Sequence, residues 1–394
     1  MQKKYRWKIG TFIWLFTWSI YLLVYMLIRQ SEINAMYHTD TIYKIIQVII
    51  LIAFIFKMLF VDRYTVKELI LYFFIIVLFL INSYIANIEF MLFLFICVVS
   101  SKGLNFNKFI KCDFLIRCFI LIIILLLCNL GIINNYSVLV NGQLKFSVGF
   151  YHPNTFGIYI AILLLEWLYI RFYKVCFWDY LIFFGGLVSI NKISHTRSTI
   201  IAFILIIGLT ILIKNKYLIY IKKWINQILI LLPFICVLTS FLITYLYYVE
   251  SSYGFKLNTL LTTRVARSSE FIEKYGIHLF GKEIITIGTR ESEIINIPMN
   301  ILDMGYVRLA INNGILILML FIVVLTLIQK LSIEQEKYPL LICNTFFILI
   351  GIIETYVYLV AFNFVIISFY QLLLIKKTQK KRDNINFIRG NLKC

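Results

Sequence analysis

Charged residues are scarce in this sequence, and acidic ones scarcest. Only 14% of the 394 residues are charged, with 19 Asp and Glu against 38 Lys and Arg. A soluble domain carries about 25% charged residues. Hydrophobic residues reach 61%. That is more apolar surface than a water-exposed fold can cover, so a soluble globule is excluded and lipid is the solvent for most of the chain. No basic stripe interleaved with aromatics lies on a polar element, so nucleic-acid binding is not expected despite a net charge of +19. The cysteines (Cys97, Cys112, Cys118, Cys128, Cys176, Cys236, Cys343 and Cys394) include no C-x-x-C pair, and none lies in a segment assigned below to the outer face. Neither disulfides nor a structural zinc site is expected, and no metal or cofactor is called for. No small-residue cleavage site follows the N-terminal apolar run Ile9–Ile28. At about 20 residues that run is too long for a signal-peptide core and reads as a retained first helix. No internal repeat or low-complexity segment occurs, so inverted-repeat transporter architecture gains no support.

What is present is a succession of apolar runs. They are placed at 9–28, 41–61, 68–86, 88–100, 115–133, 154–173, 177–190, 198–213, 226–248, 304–328, 339–355 and 357–375. The fold class is therefore all-α, a polytopic membrane protein of about 12 transmembrane helices. The runs at 88–100 and 177–190 are short and read as tilted, re-entrant or half helices. Basic residues sort to one side: Lys3, Lys4, Arg6 and Lys8; Arg63 and Lys67; Lys102, Lys108, Lys111 and Arg117; Arg171 and Lys174; Lys214, Lys216, Lys222 and Lys223; Lys330 and Lys337; and the tail from Lys376. The short connections on the other side hold only Arg29, Lys145, Lys192 and Arg197. The positive-inside bias then puts both termini in the cytoplasm, which requires an even number of crossings. Residues 1–248 carry spans one to nine. Residues 249–303 form a large extracytoplasmic loop with an amphipathic helix over Thr259–Tyr275, residues 304–375 carry spans ten to twelve, and 376–394 form a basic cytoplasmic tail. Abundant Ile, Lys, Asn, Phe and Tyr match an AT-rich bacterial genome, and hence a bacterial plasma membrane.

The informative residues are the polar ones forced to the outer face, in four groups. Gly149-Phe150-Tyr151-His152-Pro153-Asn154 opens the sixth span. His152 and Asn154 there can donate to a sugar or phosphate, or Asn154 simply caps the helix. Asn191–Ser198 is a tight polar turn with Lys192, His195 and Arg197. Cations are disfavoured in short outer loops, so anion binding competes evenly with snorkelling and capping. Leu261–Arg267 holds Arg264 and Arg267 three residues apart, on one face of any helix that starts at Thr262 or Thr263. Guanidinium groups beside a helix N-terminus suit a pyrophosphate; a solvated or headgroup-facing basic turn is the bland alternative. Asp303-Met304-Gly305-Tyr306 opens the tenth span, with Arg308 one turn inside the apolar run. An arginine there costs about 2.5–3.5 kcal/mol to insert, so Arg308 is expected to face inward onto an acidic partner, Asp303 or Glu354, or a ligand.

Taken together these segments resemble the Wzy-type polysaccharide polymerases, relatives of the O-antigen ligases. The similarity runs in pattern from Phe146 onward. Gly149–Gly157 looks like that family's His-Pro-Asn element. Ser194–Ser198 looks like its Thr-x-Ser-Arg element, with His195-Thr196 replacing part of it. Leu257–Glu283 looks like its loop element with an arginine at a helix start, with Thr263 where Gly is typical. Leu302–Ile315 is similar to its Asp-x-x-Tyr element. The resemblance implies a GT-C-like bundle and an enzyme that joins oligosaccharide units carried on undecaprenyl pyrophosphate, outside the plasma membrane. A flippase and a chain-length regulator of the same pathway are implied as further partners. A hydroxyl of one glycan attacks the anomeric carbon of another, and lipid pyrophosphate leaves. Positive charge must meet the leaving group, for which Arg264 comes first, then Arg197 and Arg267. The attacking hydroxyl needs an acceptor, for which His152 comes first, with His195, Asp303 and Glu354 behind it. Tyr306 and Asn154 are expected to position sugars, and Arg308 to bind substrate.

A lipid-linked oligosaccharide flippase is the alternative from another class. It would place cations in a central cavity, where Lys44, Lys57 and Arg308 are the few available, and it needs no large outer loop. An O-antigen-ligase-like transferase shares the chemistry and differs only in acceptor. A channel is least supported, since the polar groups form no ring or filter.

Overall fold

The computed structural model describes residues 2–87, 90–140, 142–214 and 219–376; the basic tail beyond Lys376 lies outside them. The chain is mostly helical. The helices are α1 (Gln2–Val24), α2 (Glu32–Tyr37), α3 (Asp40–Phe56), α4 (Val66–Ala86), α5 (Phe90–Ser100), α6 (Phe106–Asn129), α7 (Pro153–Arg171), α8 (Phe177–Ser189), α9 (Arg197–Lys214), α10 (Ile219–Tyr248), α11 (Ser252–Leu260), α12 (Arg264–Tyr275), α13 (Thr289–Ile295), α14 (Gly305–Arg308), α15 (Ile315–Glu334) and α16 (Tyr338–Ile350). A final helix, α17, covers Phe364–Lys376. One antiparallel hairpin, β1 (Ser137–Val140) with β2 (Gln143–Phe146), pairs Ser137 with Phe146.

Among the described residues, seven helical stretches are long and apolar enough to cross a membrane: Lys8–Arg29, Asp40–Val61, Val66–Ala86, Pro153–Lys174, Arg197–Lys214, Lys223–Tyr248 and Ile315–Glu334. Burial sorts them. Stretch 153–174 is mostly enclosed, while 40–61 and 66–86 leave most of their surface open. The open surface is apolar: Ile45, Ile49, Ile52, Phe73, Phe74 and Leu242 point outward. Such a patch is stable against lipid and not against water. At the centre, α16 is buried along almost its whole length and packs on α9, α15 and α7.

Three differences from the sequence expectation matter for the site. The helix expected over Thr259–Tyr275 is two helices, because Thr262 and Thr263 both take left-handed backbone conformations, φ +54° and +66°. For a β-branched residue this costs on the order of 1 kcal/mol or more. The chain therefore turns there, and α12 starts afresh at Arg264. The span expected over 304–328 is interrupted at Gly314, φ +87°, so α15 begins at Ile315 and runs to Glu334. The spans expected over 339–355 and 357–375 pull back to α16 and α17, leaving residues 351–363 largely unwound between them.

That unwound stretch lies within the protein. Its carbonyls are met by Asn363 Nδ2 on Val357 O (2.6 Å), by Arg117 Nη2 on Ala361 O (2.7 Å) and by Tyr306 N–H on Gly351 O (3.3 Å). Irregular backbone among membrane helices persists only where protein groups satisfy it in this way.

Candidate functional site

The turn before α7 is set by Gly149. Its φ is +84°, and a Cβ there would lie 2.9 Å from Ile133 Cδ1. The strand-like link that follows is tied to the end of the first span by Tyr151 N–H on Gln30 O (2.9 Å) and by Glu32 N–H on Gly149 O (3.0 Å). His152 becomes the N-cap of α7. Pro153 at the first helical position needs no hydrogen-bond acceptor, and the His152 ring nitrogen Nδ1 accepts from the Asn154 N–H at 3.1 Å.

From α12, Arg264 reaches two carboxylates that lie far from it in sequence. Its Nη1 is 2.8 Å from Glu354 Oε1 and its Nε is 3.3 Å from Asp303 Oδ2. Nη1 also donates to Ile353 O at 3.2 Å. Ser198, on the first turn of α9, donates to Glu354 Oε1 at 3.3 Å. Thr155 and Tyr356 hydroxyls stand 3.5 Å apart beside them. Burial by itself would weaken the hold of Arg264 on its proton, but Glu354 and Asp303 outweigh this and raise its pKa. Glu354 is nearly closed off, whereas Asp303 keeps 24% of its side chain open.

Two other cations face this group. Lys145, on β2, is pushed below the ordinary lysine pKa by burial first, then by Arg264 and Arg197; Glu354 opposes. Arg197 is exposed at the start of α9. Among the described residues neither Lys145 nor Arg197 has an ion-pair partner. The sequence reading left Lys145 out. Its signal was there, as a cation in a short connection on the side where cations are disfavoured.

His152 is driven down to about 4. Burial is the main cause, Arg264 and Lys145 add to it, and Asp303 opposes. The ring is therefore neutral near pH 7. Because Nδ1 accepts from a backbone N–H, the single proton must sit on Nε2. In this arrangement His152 is a hydrogen-bond donor through Nε2, and acting as a base would require Nδ1 to give up the Asn154 N–H.

The remaining expected residues divide. Arg267 is half-buried one turn along α12, with Nη1 3.9 Å from Met299 Sδ. His195 takes a left-handed conformation, φ +49°, closing a wide turn through its N–H on Ile190 O (2.9 Å). Asn154 meets the group through its backbone. Arg308 donates to Leu302 O at 3.4 Å and has no ion pair among the described residues. The acidic partners expected for it, Asp303 and Glu354, belong to Arg264. Tyr306 is fully enclosed, with its hydroxyl on Ile348 O at 2.8 Å. It packs over Gly351, where a Cβ would lie 2.7 Å from the ring, so it braces α16 instead of facing the polar group.

The whole is a compact polar constellation at one end of the bundle: Arg264 held by Asp303 and Glu354, a neutral His152, and the unpaired cations Lys145 and Arg197. It can bind an anion and offer a carboxylate to a proton. No group of His, Cys, Asp and Glu among the described residues is arranged to hold a metal ion. No family model, curated protein or solved structure matches the chain. Fold and composition together define a helical membrane protein.

Proposed function

We propose that this protein is a glycosyltransferase that polymerises oligosaccharide repeat units carried on undecaprenyl pyrophosphate, on the outer face of a bacterial plasma membrane. The observation that carries the reading is the meeting of Arg264, Asp303, Glu354, Ser198, His152 and Lys145 at one end of the bundle. Most of these positions lie in the segments that resemble the polymerases. Twelve crossings with cytoplasmic termini belong to the same reading, because the short connections it puts outside hold only Arg29, Lys145, Lys192 and Arg197.

In this reading the leaving pyrophosphate is met by Arg197 and Lys145, which have no ion-pair partner among the described residues. Arg264 fixes the two carboxylates. Asp303, the more open one, accepts the proton of the attacking hydroxyl. That oxygen forms a bond to the anomeric carbon as the bond to pyrophosphate breaks. His152 donates from Nε2 to the sugar or a phosphate oxygen, and Asn154, His195, Arg267 and Arg308 line the approach. The bilayer holds the lipid carrier, and a flippase and a chain-length regulator are the expected pathway partners.

The test is deletion of the gene in its host, with surface and lipid-linked glycans run on gels. Complements carry the wild type, Lys145→Ala or Asp303→Asn. Expected are loss of the polymer ladder, single repeat units accumulating on outer-leaflet lipid, and rescue by wild type alone. Asp303→Asn should lower turnover about 10²–10⁴-fold. Repeat units trapped on the inner leaflet would indicate a flippase, and long lipid-linked chains that are never transferred would indicate a ligase; either overturns the proposal.

A further inference from the structure

A second ionic cluster lies within the bundle and takes no part in the chemistry above. Asp113 and Arg117 sit one turn apart on α6, and Glu166 faces them from α7; all three side chains are fully buried. Arg117 Nε stands 2.9 Å from Asp113 Oδ2 and 3.1 Å from Glu166 Oε1. Trp18 Nε1 donates to Asp113 Oδ1 at 2.6 Å. Arg117 Nη2 donates to Ala361 O at 2.7 Å, and Tyr159 donates to Arg117 O at 2.9 Å. Tyr159, Cys118 and Cys343 are the other titratable groups around it.

The charges do not balance. Two carboxylates face one guanidinium, and both Glu166 Oε2 and Arg117 Nη1 are buried with no hydrogen-bond partner among the described residues. An uncompensated charge among membrane helices is expensive, and a bare carboxylate oxygen more so. The two acids are not equivalent. Asp113 accepts on both oxygens, from Trp18 and from Arg117, so its charge is well met. Glu166 has one oxygen met and one bare.

We propose that this cluster is a proton-binding site, with Glu166 carrying one bound proton as a neutral carboxylic acid beside the Asp113–Arg117 ion pair. Protonation turns the bare oxygen into a hydroxyl donor that can swing to Asp113, and brings the cluster to zero net charge. The cluster also has a position that matters. Arg117 pins Ala361 in the unwound stretch that carries Glu354 and Tyr356, so the protonated cluster is the fixed post from which that stretch reaches the polar constellation.

The isosteric variant decides the matter. Glu166→Gln is neutral at any pH, so it should unfold at nearly the wild-type temperature. Arg117→Met leaves Asp113 buried without its cation and should lower the unfolding temperature sharply, whereas Asp113→Asn lets Glu166 release its proton and pair with Arg117 and should lower it less. Infrared spectra of the purified protein in lipid should show a carboxylic-acid C=O stretch at neutral pH that shifts in heavy water and is missing from Glu166→Gln. The buried acids Glu32 and Glu354 remain in both samples and cancel in the difference. A difference spectrum without that band, or a Glu166→Gln protein as unstable as Arg117→Met, would overturn the assignment. The spectrum is read without any glycan assay, so its outcome is independent of the polymerase reading.

Discussion

Arg264 Nη1 donates to Glu354 Oε1 at 2.8 Å across 90 residues of chain, and this contact joins the start of α12 to the unwound end of α16. Removing Arg264 leaves Glu354 and Asp303 facing each other with no cation between them. Removing Glu354 leaves Arg264 still paired with Asp303. The losses should therefore be unequal. Arg264→Ala should cost about 3–5 kcal/mol, the range for breaking an enclosed ion pair, and Glu354→Ala less. The double variant should recover part of the sum, with a coupling of about 0.5–3 kcal/mol. Unfolding of the purified proteins in detergent measures all three; strictly additive losses would show that the contact carries no energy.

The cap at His152 predicts an acid-sensitive stability. Its pKa falls from an ordinary 6.5 to about 4 in the folded chain. Above pH 6.5 both folded and unfolded chains hold the neutral ring, and the stabilisation is complete. As pH falls from 6.5 towards 4, the unfolded chain takes up the proton first and stability is lost. At 1.36 kcal/mol per unit the ceiling is about 3 kcal/mol. Partial exposure of the ring brings the expected loss to roughly 1–3 kcal/mol. His152→Asn keeps a side-chain acceptor for the cap and removes the titration. Its melting temperature should drop less than the wild type's over that window, and parallel curves would remove His152 as the cause.

How far the sequence reaches is clear from these residues. Composition and apolar runs marked a helical membrane protein, since hydropathy over about 20 residues is a strong local signal, but several expected spans are interrupted or shortened. Arg264 and Asp303 stood out because charge is rare here. Their pairing did not, because Arg308 is nearer to Asp303 in sequence and competes for the same partners on paper. What decided it is backbone geometry that leaves little trace in residue type: Thr262 and Thr263 in left-handed conformations, which re-aim Arg264. Glycine is the residue that adopts such a conformation without strain, and threonine gives no cue to it. Lys145 was not singled out because a two-stranded hairpin carries it to the site from a segment with no motif, and the proton position of His152 depends on a backbone N–H that residue type does not reveal.

Two glycines hold a backbone crossing at the start of α15. Residues 279–282 lie across the start of α15 through Lys282 N–H on Ile311 O (3.0 Å) and Ile315 N–H on His278 O (3.1 Å). A Cβ on Gly281 would lie 2.1 Å from Asn312 O, and one on Gly314 would lie 2.4 Å from Gly281 N. Both have positive φ, +81° and +87°. Gly281→Ala and Gly314→Ala should each cost about 3 kcal/mol or more, from strain and overpacking together. Gly185 and Gly208, on the open faces of α8 and α9, meet nothing within 4 Å. Alanine there should be neutral or stabilise by up to about 1 kcal/mol. Melting temperatures of the four variants in one detergent make the comparison, and equal shifts in all four would refute the crossing as the cause.

Lys145 gives the polymerase reading a pH signature. An ordinary lysine stays charged up to about 10.5. Burial, Arg264 and Arg197 lower this one, so it loses its charge earlier as pH rises. If that charge meets the leaving pyrophosphate, kcat/KM for lipid-linked repeat units in liposomes should fall on the alkaline side below pH 10.5, because kcat/KM reports the free enzyme. A bound pyrophosphate would stabilise the ammonium, so kcat should hold to higher pH than kcat/KM. Lys145→Arg keeps its charge throughout and should move the alkaline limb upward, while Lys145→Gln should be slow at every pH and lose that limb. A wild-type profile that Lys145→Gln leaves unchanged would remove Lys145 from the anion's reception and leave Arg197 as the unpaired cation facing it.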